Sequence, residues 1–254
     1  MWPRARLSIS IAGWPERSVA PGESPRTRIE RVAAWGARGA QLDATMAGIR
    51  PRELDRSGRR DLAALLKRLG LSFSGLDLFI PLEHFTNARH TDRALSAASA
   101  ACELASDLER LAGDAGAGVV CTALPDSIDP RVIEALAAAA DRHGVAIADL
   151  AWPPRDQPAG PGIGAGFDPA AMLMRGADPA AEVARLHAPV LAARLSDVSA
   201  VGRVAPGSPG GRLDVLGYAA ALHARGFAGA VVADLRGLDD ADKAAARMIA
   251  AWGP

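Results

Sequence analysis

Residues 28–44 read RIERVAAWGARGAQLDA, and the way this stretch divides decides the fold. Its first part places Ile29, Val32, Ala33 and Trp35 near helical spacing, which predicts a helix over Arg28–Arg38 stopped by Gly39. Ala40–Ala44 follows at once as a short strand. Helix, glycine, strand is half of a repeating βα unit. The same order recurs along the chain. Helices over Arg59–Leu69, Arg93–Ala112 and Pro130–His143 precede strands over Leu71–Ile80, Gly118–Leu124 and Val145–Leu150. Leu7–Ala12 opens the series. Strands at Val190–Leu195 and Ala230–Asp234 then alternate with helices at Pro179–Leu186, Val215–Arg225 and Ala241–Trp252.

One place breaks the rhythm. Ala151–Gly162, AWPPRDQPAGPG, is too rich in proline and glycine for a helix, yet a sixth strand, Ile163–Phe167, follows it. The helix between strands five and six is therefore expected to be missing or replaced by a loop. Eight strands in 254 residues suit a single closed (β/α)8 barrel spanning residues 1–254, a fold that commonly takes about 250 residues. The rival is a doubly wound open sheet, but no Gly-x-Gly-x-x-Gly follows the first strand. A missing helix would leave strands five and six less covered, and an apolar patch there would favour a homodimer.

Composition is ordinary for a globular protein, with 49% apolar and 23% charged residues. A formal net charge of +0 argues against a nucleic-acid partner, which draws a basic excess. Cys102 and Cys121 cannot form a disulfide framework, and Cys121 reads as a small core residue. No apolar run approaches ~18 residues, and the start lacks a signal segment. The expectation is a soluble, cytoplasmic chain with no membrane partner.

Several predicted strands end in or beside charge: Asp149, Asp168, Arg194 with Asp197, and Asp234. In a closed barrel the C-terminal strand ends converge on one mouth, where active sites lie. Each residue alone also suits a helix cap or turn. Asp43 and Asp77 are further strand-borne carboxylates for that mouth. Trp14 and Trp152 follow strands one and five, where an aromatic stacks on a sugar ring or simply packs. Glu83, His84, His90 and Asp92 share the loop IPLEHFTNARHTD, with histidines suited to proton transfer near neutral pH. Residues 90–92 equally suit a cap for the next helix. Arg203 and Arg212 flank VAPGSPGG, which is either an anion-binding loop or an ordinary one.

Five segments carry a likeness: RIERVAAWGARGAQLDA, LDRSGRRDLAALLKRLGLSFSGLDL, GFDPAAMLMRGADPAAEVARL, LAARLSDVS and VAPGSPGGRLDVLGYAAALHARGFAGAVVADL. In order and spacing the chain resembles the sugar phosphate isomerase/epimerase family, with its xylose isomerase-like TIM barrel, over nearly its whole length. The resemblance implies a divalent metal held by a glutamate, an aspartate, a histidine and a glutamate on strands five to eight. Asp168 matches the aspartate and Asp234 falls at the last glutamate. Arg194 stands at the histidine position and has no lone pair to offer. Leu150 stands at the first glutamate, with Asp149 one residue away and so pointing to the other face unless the strand bulges.

Two cofactor expectations follow. Asp149, Asp168 and Asp234 would form an all-oxygen set for Mg²⁺ or Mn²⁺, or Arg194 would neutralise the carboxylates and no cofactor would be needed. The resemblance implies an isomerase or epimerase acting on a small sugar or sugar phosphate by proton abstraction next to a carbonyl. Asp168, Asp234 or Glu83 would be the base, Arg194 the electrophilic stabiliser, and His84 a proton shuttle. Asp43, Asp77, Asp197, Arg203, Arg212, Trp14 and Trp152 would contact substrate. The alternative is a non-catalytic carbohydrate-binding or interaction protein that has lost the metal site. A repair nuclease on the same fold would want histidine-rich metal motifs and a basic groove, and neither is visible.

Overall fold

A computed structural model describes residues 5–253. Eight parallel strands close into a barrel: β1 (Leu7–Ser10), β2 (Gly39–Asp43), β3 (Ser72–Asp77), β4 (Val119–Thr122), β5 (Ala146–Asp149), β6 (Ile163–Phe167), β7 (Val190–Leu195) and β10 (Val231–Ala233). Each is paired with its neighbour in this order, and β10 closes the ring on β1. Between β7 and β10 lies a small antiparallel hairpin, β8 (Asp197–Ser199) with β9 (Gly202–Val204).

Strand side chains alternate between faces. The outward set is apolar: Ile9, Leu42, Phe73, Ile147, Phe167, Ala193 and Val231 join one large core under the helices. The inward set is small, and Cys121, Ala148 and Ala192 form a separate inner cluster. Most of the apolar burial therefore lies outside the barrel wall.

The helices are α1 (Pro25–Ala34), α2 (Arg56–Arg68), α3 (Ala88–Ala112), α4 (Pro130–His143), α5 (Pro169–Met174), α6 (Pro179–Arg185), α7 (Val215–Ala224) and α8 (Ala241–Trp252). Each begins at a Ser, Asp or Asn whose side chain accepts a first-turn backbone N–H. Such a cap is worth about 1 kcal/mol. For α3 the cap is Asn87, which accepts from the amide of Arg89, so His90–Asp92 lie inside the helix rather than capping it.

No helix is assigned between β5 and β6; residues 150–162 cross as a loop with a cis peptide at Trp152–Pro153. Trp152 and Ala159 of this loop pack on the main core. The large apolar side chains that stand exposed among the described residues are Phe79, Leu82, Met174, Val201 and Leu216, none of them on this segment. The apolar patch expected there, and with it that argument for a homodimer, is thus replaced by a loop that covers its own side. Among the described residues no helix is long and apolar enough to cross a membrane.

Candidate functional site

The C-terminal strand ends bring three aspartates and three arginines into one cluster. On β7, Ala193 and Leu195 face the outer core, which turns Arg194 inward. Asp234 follows β10, whose Val231 and Ala233 face outward. Asp77 reaches the same space through an irregularity in β3. Phe73 and Leu76 both face outward across the pairing shift with β2, and between them Gly75 sits at φ +98°. A Cβ there would stand 2.6 Å from the carbonyl oxygen of Val119. Glycine at this point therefore lets Asp77 turn into the mouth.

Arg194 lies at the bottom of the cluster. Its Nη2 donates to Asp77 Oδ1 at 2.5 Å and its Nη1 to Asp234 Oδ2 at 2.8 Å. Arg236 covers the same two carboxylates, with Nη2 2.8 Å from Asp77 Oδ2 and Nε 3.4 Å from Asp234 Oδ1. Arg203 bridges Asp168 Oδ2 and Asp234 Oδ2, each at 3.2 Å. Asp168 also caps α5 through the amide of Ala170 and accepts from the hydroxyl of Ser196. Gly13, at φ +62°, makes room for Arg236: a Cβ there would stand 2.2 Å from the arginine's Cγ.

The cluster is layered by burial. Side-chain exposure is 6% for Arg194, 7% for Asp77 and 1% for Asp234, against 15% for Asp168, 19% for Arg203 and 32% for Arg236. The outer three are the groups a ligand would meet first. Burial alone would raise the Asp234 carboxyl, but Arg194, Arg236 and Arg203 together hold it below its ordinary value. Burial would likewise lower Arg194, and Asp234, Asp77 and Asp168 outweigh it, so the guanidinium stays charged. Formal charges within the cluster cancel, three against three. That is how ions survive in a poorly solvated place.

The residues present do not fit a divalent cation. Every oxygen of Asp77, Asp168 and Asp234 already accepts from a guanidinium, a hydroxyl or a backbone amide. A cation would need carboxylate faces free of such donors. Among the described residues no three His, Cys, Asp or Glu side chains form a metal-holding group. Asp149 is not brought to the cluster. Its Oδ1 accepts from the amides of Leu124 and Ala151, both at 2.9 Å, and Oδ2 pairs with Arg155 at 3.0 Å. Calorimetric titration with Mn²⁺ is expected to give no saturable heat, and a one-site isotherm would overturn this reading.

The other residues singled out in the sequence have local partners. Asp43 Oδ1 accepts from the amide and hydroxyl of Thr45 at 2.8 and 2.6 Å, closing a turn. Asp197 Oδ1 accepts from the amides of Val198, Arg212 and Leu213 and pins the segment after the hairpin. Arg212 donates to the carbonyl of Leu173. Trp14 is buried, donates to the carbonyl of Ser10, and packs against Trp35 beneath Arg28 and Arg31. Trp152 is half-buried against the core. Glu83 is exposed on a single 3-10 turn, where the His84 ring lies 4.6 Å from that of His90. Neither Glu83 nor His84 bonds to the six-residue cluster among the described contacts. Burial pushes the Cys121 thiol up to about 12, so it is no nucleophile.

Sequence reasoning missed Arg236 and Ser196. Both stand two residues beyond an inward side chain, Asp234 and Arg194, so strand alternation was the available signal. The β8–β9 hairpin, which carries Arg203, was not anticipated, although Arg203 itself was named beside the loop VAPGSPGG.

No family model matches the chain, and no curated protein is detectably similar to it in sequence. Solved structures are similar in fold. An L-ribulose 3-epimerase matches with a TM-score of 0.63 at 16% identity, over 98% of this chain and 88% of its own. The probable 3-DHS dehydratase AsbF of Bacillus anthracis, involved in petrobactin synthesis, gives 0.65 at 12% identity, over 96% and 97%. A xylose isomerase-like TIM barrel protein from Mycobacterium smegmatis, in complex with magnesium, gives 0.64 at 14%, over 98% of each chain. The chain has the xylose isomerase-like TIM-barrel fold.

Proposed function

We propose that the protein is a sugar isomerase or epimerase-like enzyme, acting on a small sugar or sugar phosphate at the barrel mouth without a metal. One observation carries this reading: three carboxylates and three guanidiniums are gathered at the strand ends, with Asp168, Arg203 and Arg236 outermost. The fold's known chemistries, among them the epimerase named above, support it.

A substrate oxygen or phosphate draws Arg203 from Asp168, which frees that carboxylate to act. Asp168 takes the proton from the carbon next to the carbonyl. The C–H pair becomes a new carbon–carbon double bond, and the carbonyl π pair moves onto oxygen as an enediolate forms. Arg236 and Arg203 supply the positive charge beside that oxygen, which is where such stabilisation acts most strongly. Arg194 lies too deep to touch substrate and holds Asp77 and Asp234 in place beneath it. Asp168 then returns the proton to the neighbouring carbon, which completes an isomerisation. Glu83 and His84 have no role in this sequence of steps.

The test is hydrogen exchange in D₂O. The protein is incubated with ketopentoses, ketohexoses and their phosphate monoesters, and NMR follows deuterium entering the carbon next to the carbonyl. Incorporation that depends on Asp168 is expected, and a complete absence across the panel would sink the enzyme reading. A second reading, a non-catalytic carbohydrate-binding protein, is favoured by the full set of partners on Asp77 and Asp234. Saturable sugar binding without any exchange would establish it.

A further inference from the structure

The opposite end of the barrel is open. A cavity of about 530 Å³ enters among the N-terminal strand ends and runs inward between the strands. That size falls within the roughly 300–1,000 Å³ of ligand pockets. It exists because the inward residues are small. TIM barrels usually fill this layer with Val, Ile and Leu. Here Gly39, Ser74 and Ala146 line the opening.

Its inner end is built from Gln41, Cys121, Ala192 and Val232. Gln41 is 1% exposed, and its Oε1 has no hydrogen-bond partner. Its Nε2 meets only the Cys121 sulfur, at 3.4 Å. A buried amide oxygen left in this way is costly, on the order of 1–3 kcal/mol. Exchanging the amide's oxygen and nitrogen leaves a donor unsatisfied instead, so a hydroxyl, which both donates and accepts, suits either arrangement. Around the rim stand Arg6 and Arg38, against a single Glu109 whose Oε1 already accepts from the amide of Gly116. Arg38, the residue before β2, lies three residues from Gln41, a rise of about 10 Å, and Arg6 stands with it at the rim. One ring with substituents at opposite ends spans that depth.

We propose that this N-terminal opening is a second binding site, for a small organic acid with an apolar body, a hydroxyl seated on Gln41 and a carboxylate at the Arg6–Arg38 rim. The chemical class is that of a hydroxylated aromatic acid. The site is separate from the mouth and does not depend on the sugar reading.

The test is a calorimetric titration of the whole protein with 4-hydroxybenzoate, benzoate and phenol. Saturable binding of 4-hydroxybenzoate is expected, with benzoate and phenol each about tenfold weaker. Gln41→Leu should remove the difference between 4-hydroxybenzoate and benzoate, and Arg38→Ala the difference between 4-hydroxybenzoate and phenol. Ala192→Phe should fill the cavity and abolish binding. Equal wild-type affinity for benzoate and 4-hydroxybenzoate, or no saturation by any of the three, overturns the proposal even if a variant fails to fold. Binding lost in Arg203→Ala but kept in a folded Ala192→Phe would place the ligand at the mouth instead, and would overturn it too.

Discussion

Replacing Arg194 by methionine is expected to abolish deuterium exchange and to reverse the way stability depends on pH. The substitution leaves Asp77 and Asp234 buried at 7% and 1% side-chain exposure with their central counter-charge gone. Removing one partner of a buried pair destabilises by about 3–5 kcal/mol. In a chain of this size each 1 kcal/mol moves the melting midpoint by roughly 2–4 °C. A fall of more than about 6 °C is therefore expected. In the wild type the Asp234 carboxyl is held below its unfolded value. Its stabilisation is present above about pH 4 and lost as pH falls through the folded value. In Arg194→Met the two facing carboxylates repel, and one takes up a proton above its unfolded value. Such a group relieves its own penalty as pH falls, so the variant should melt higher at pH 5 than at pH 8. A midpoint that moves with pH as the wild type does would contradict this account of the cluster.

The second large effect lies with Asp234, the one carboxylate that touches all three arginines. Asp234→Asn leaves three guanidiniums facing two carboxylates, and about 3 kcal/mol or more of destabilisation is expected. The acid limb of the stability curve should flatten at the same time, since the depressed carboxyl is gone. Combining Asp234→Leu with Arg194→Met removes opposite charges together and fills their space with apolar groups. Buried pairs replaced in this way often lose little or nothing. The double variant should therefore melt above both Asp234→Leu and Arg194→Met alone, as thermal unfolding of the three proteins side by side will read. Additive losses would show that the two side chains do not act as a pair.

The fold was legible because two periodicities alternate cleanly. Residues 28–44 already hold a helix, its glycine stop and a strand, and α1 and β2 occupy that stretch. Asp168, Arg194 and Asp234 stood out because strand ends in a closed barrel share one rim. Alternation also marked Asp149 as the residue whose direction differed, and its bonds run to Leu124, Ala151 and Arg155. What was illegible depends on contact rather than period. Whether Asp43 and Asp197 meet a ligand or a backbone amide turns on loop geometry one to sixteen residues away. The inward turn of Asp77 needs the irregularity at Gly75, which no regular pattern encodes. Arg203 was named as a candidate, but the hairpin that delivers it is a three-residue strand, too short for alternation to stand out from noise.

The depth of the mouth cluster has a bearing on ionic strength. Dissolved ions largely screen exposed charges that stand farther apart than a Debye length, which shrinks from about 8 Å in physiological salt to about 3 Å at 1 M, whereas buried pairs are screened much less. A surface pair such as Arg26–Glu30, at 63% and 46% exposure, is open to that screening. Arg194 and Asp234 are shut away from it, so brine that dissolves the protein's outer ion pairs leaves the top of its barrel fastened.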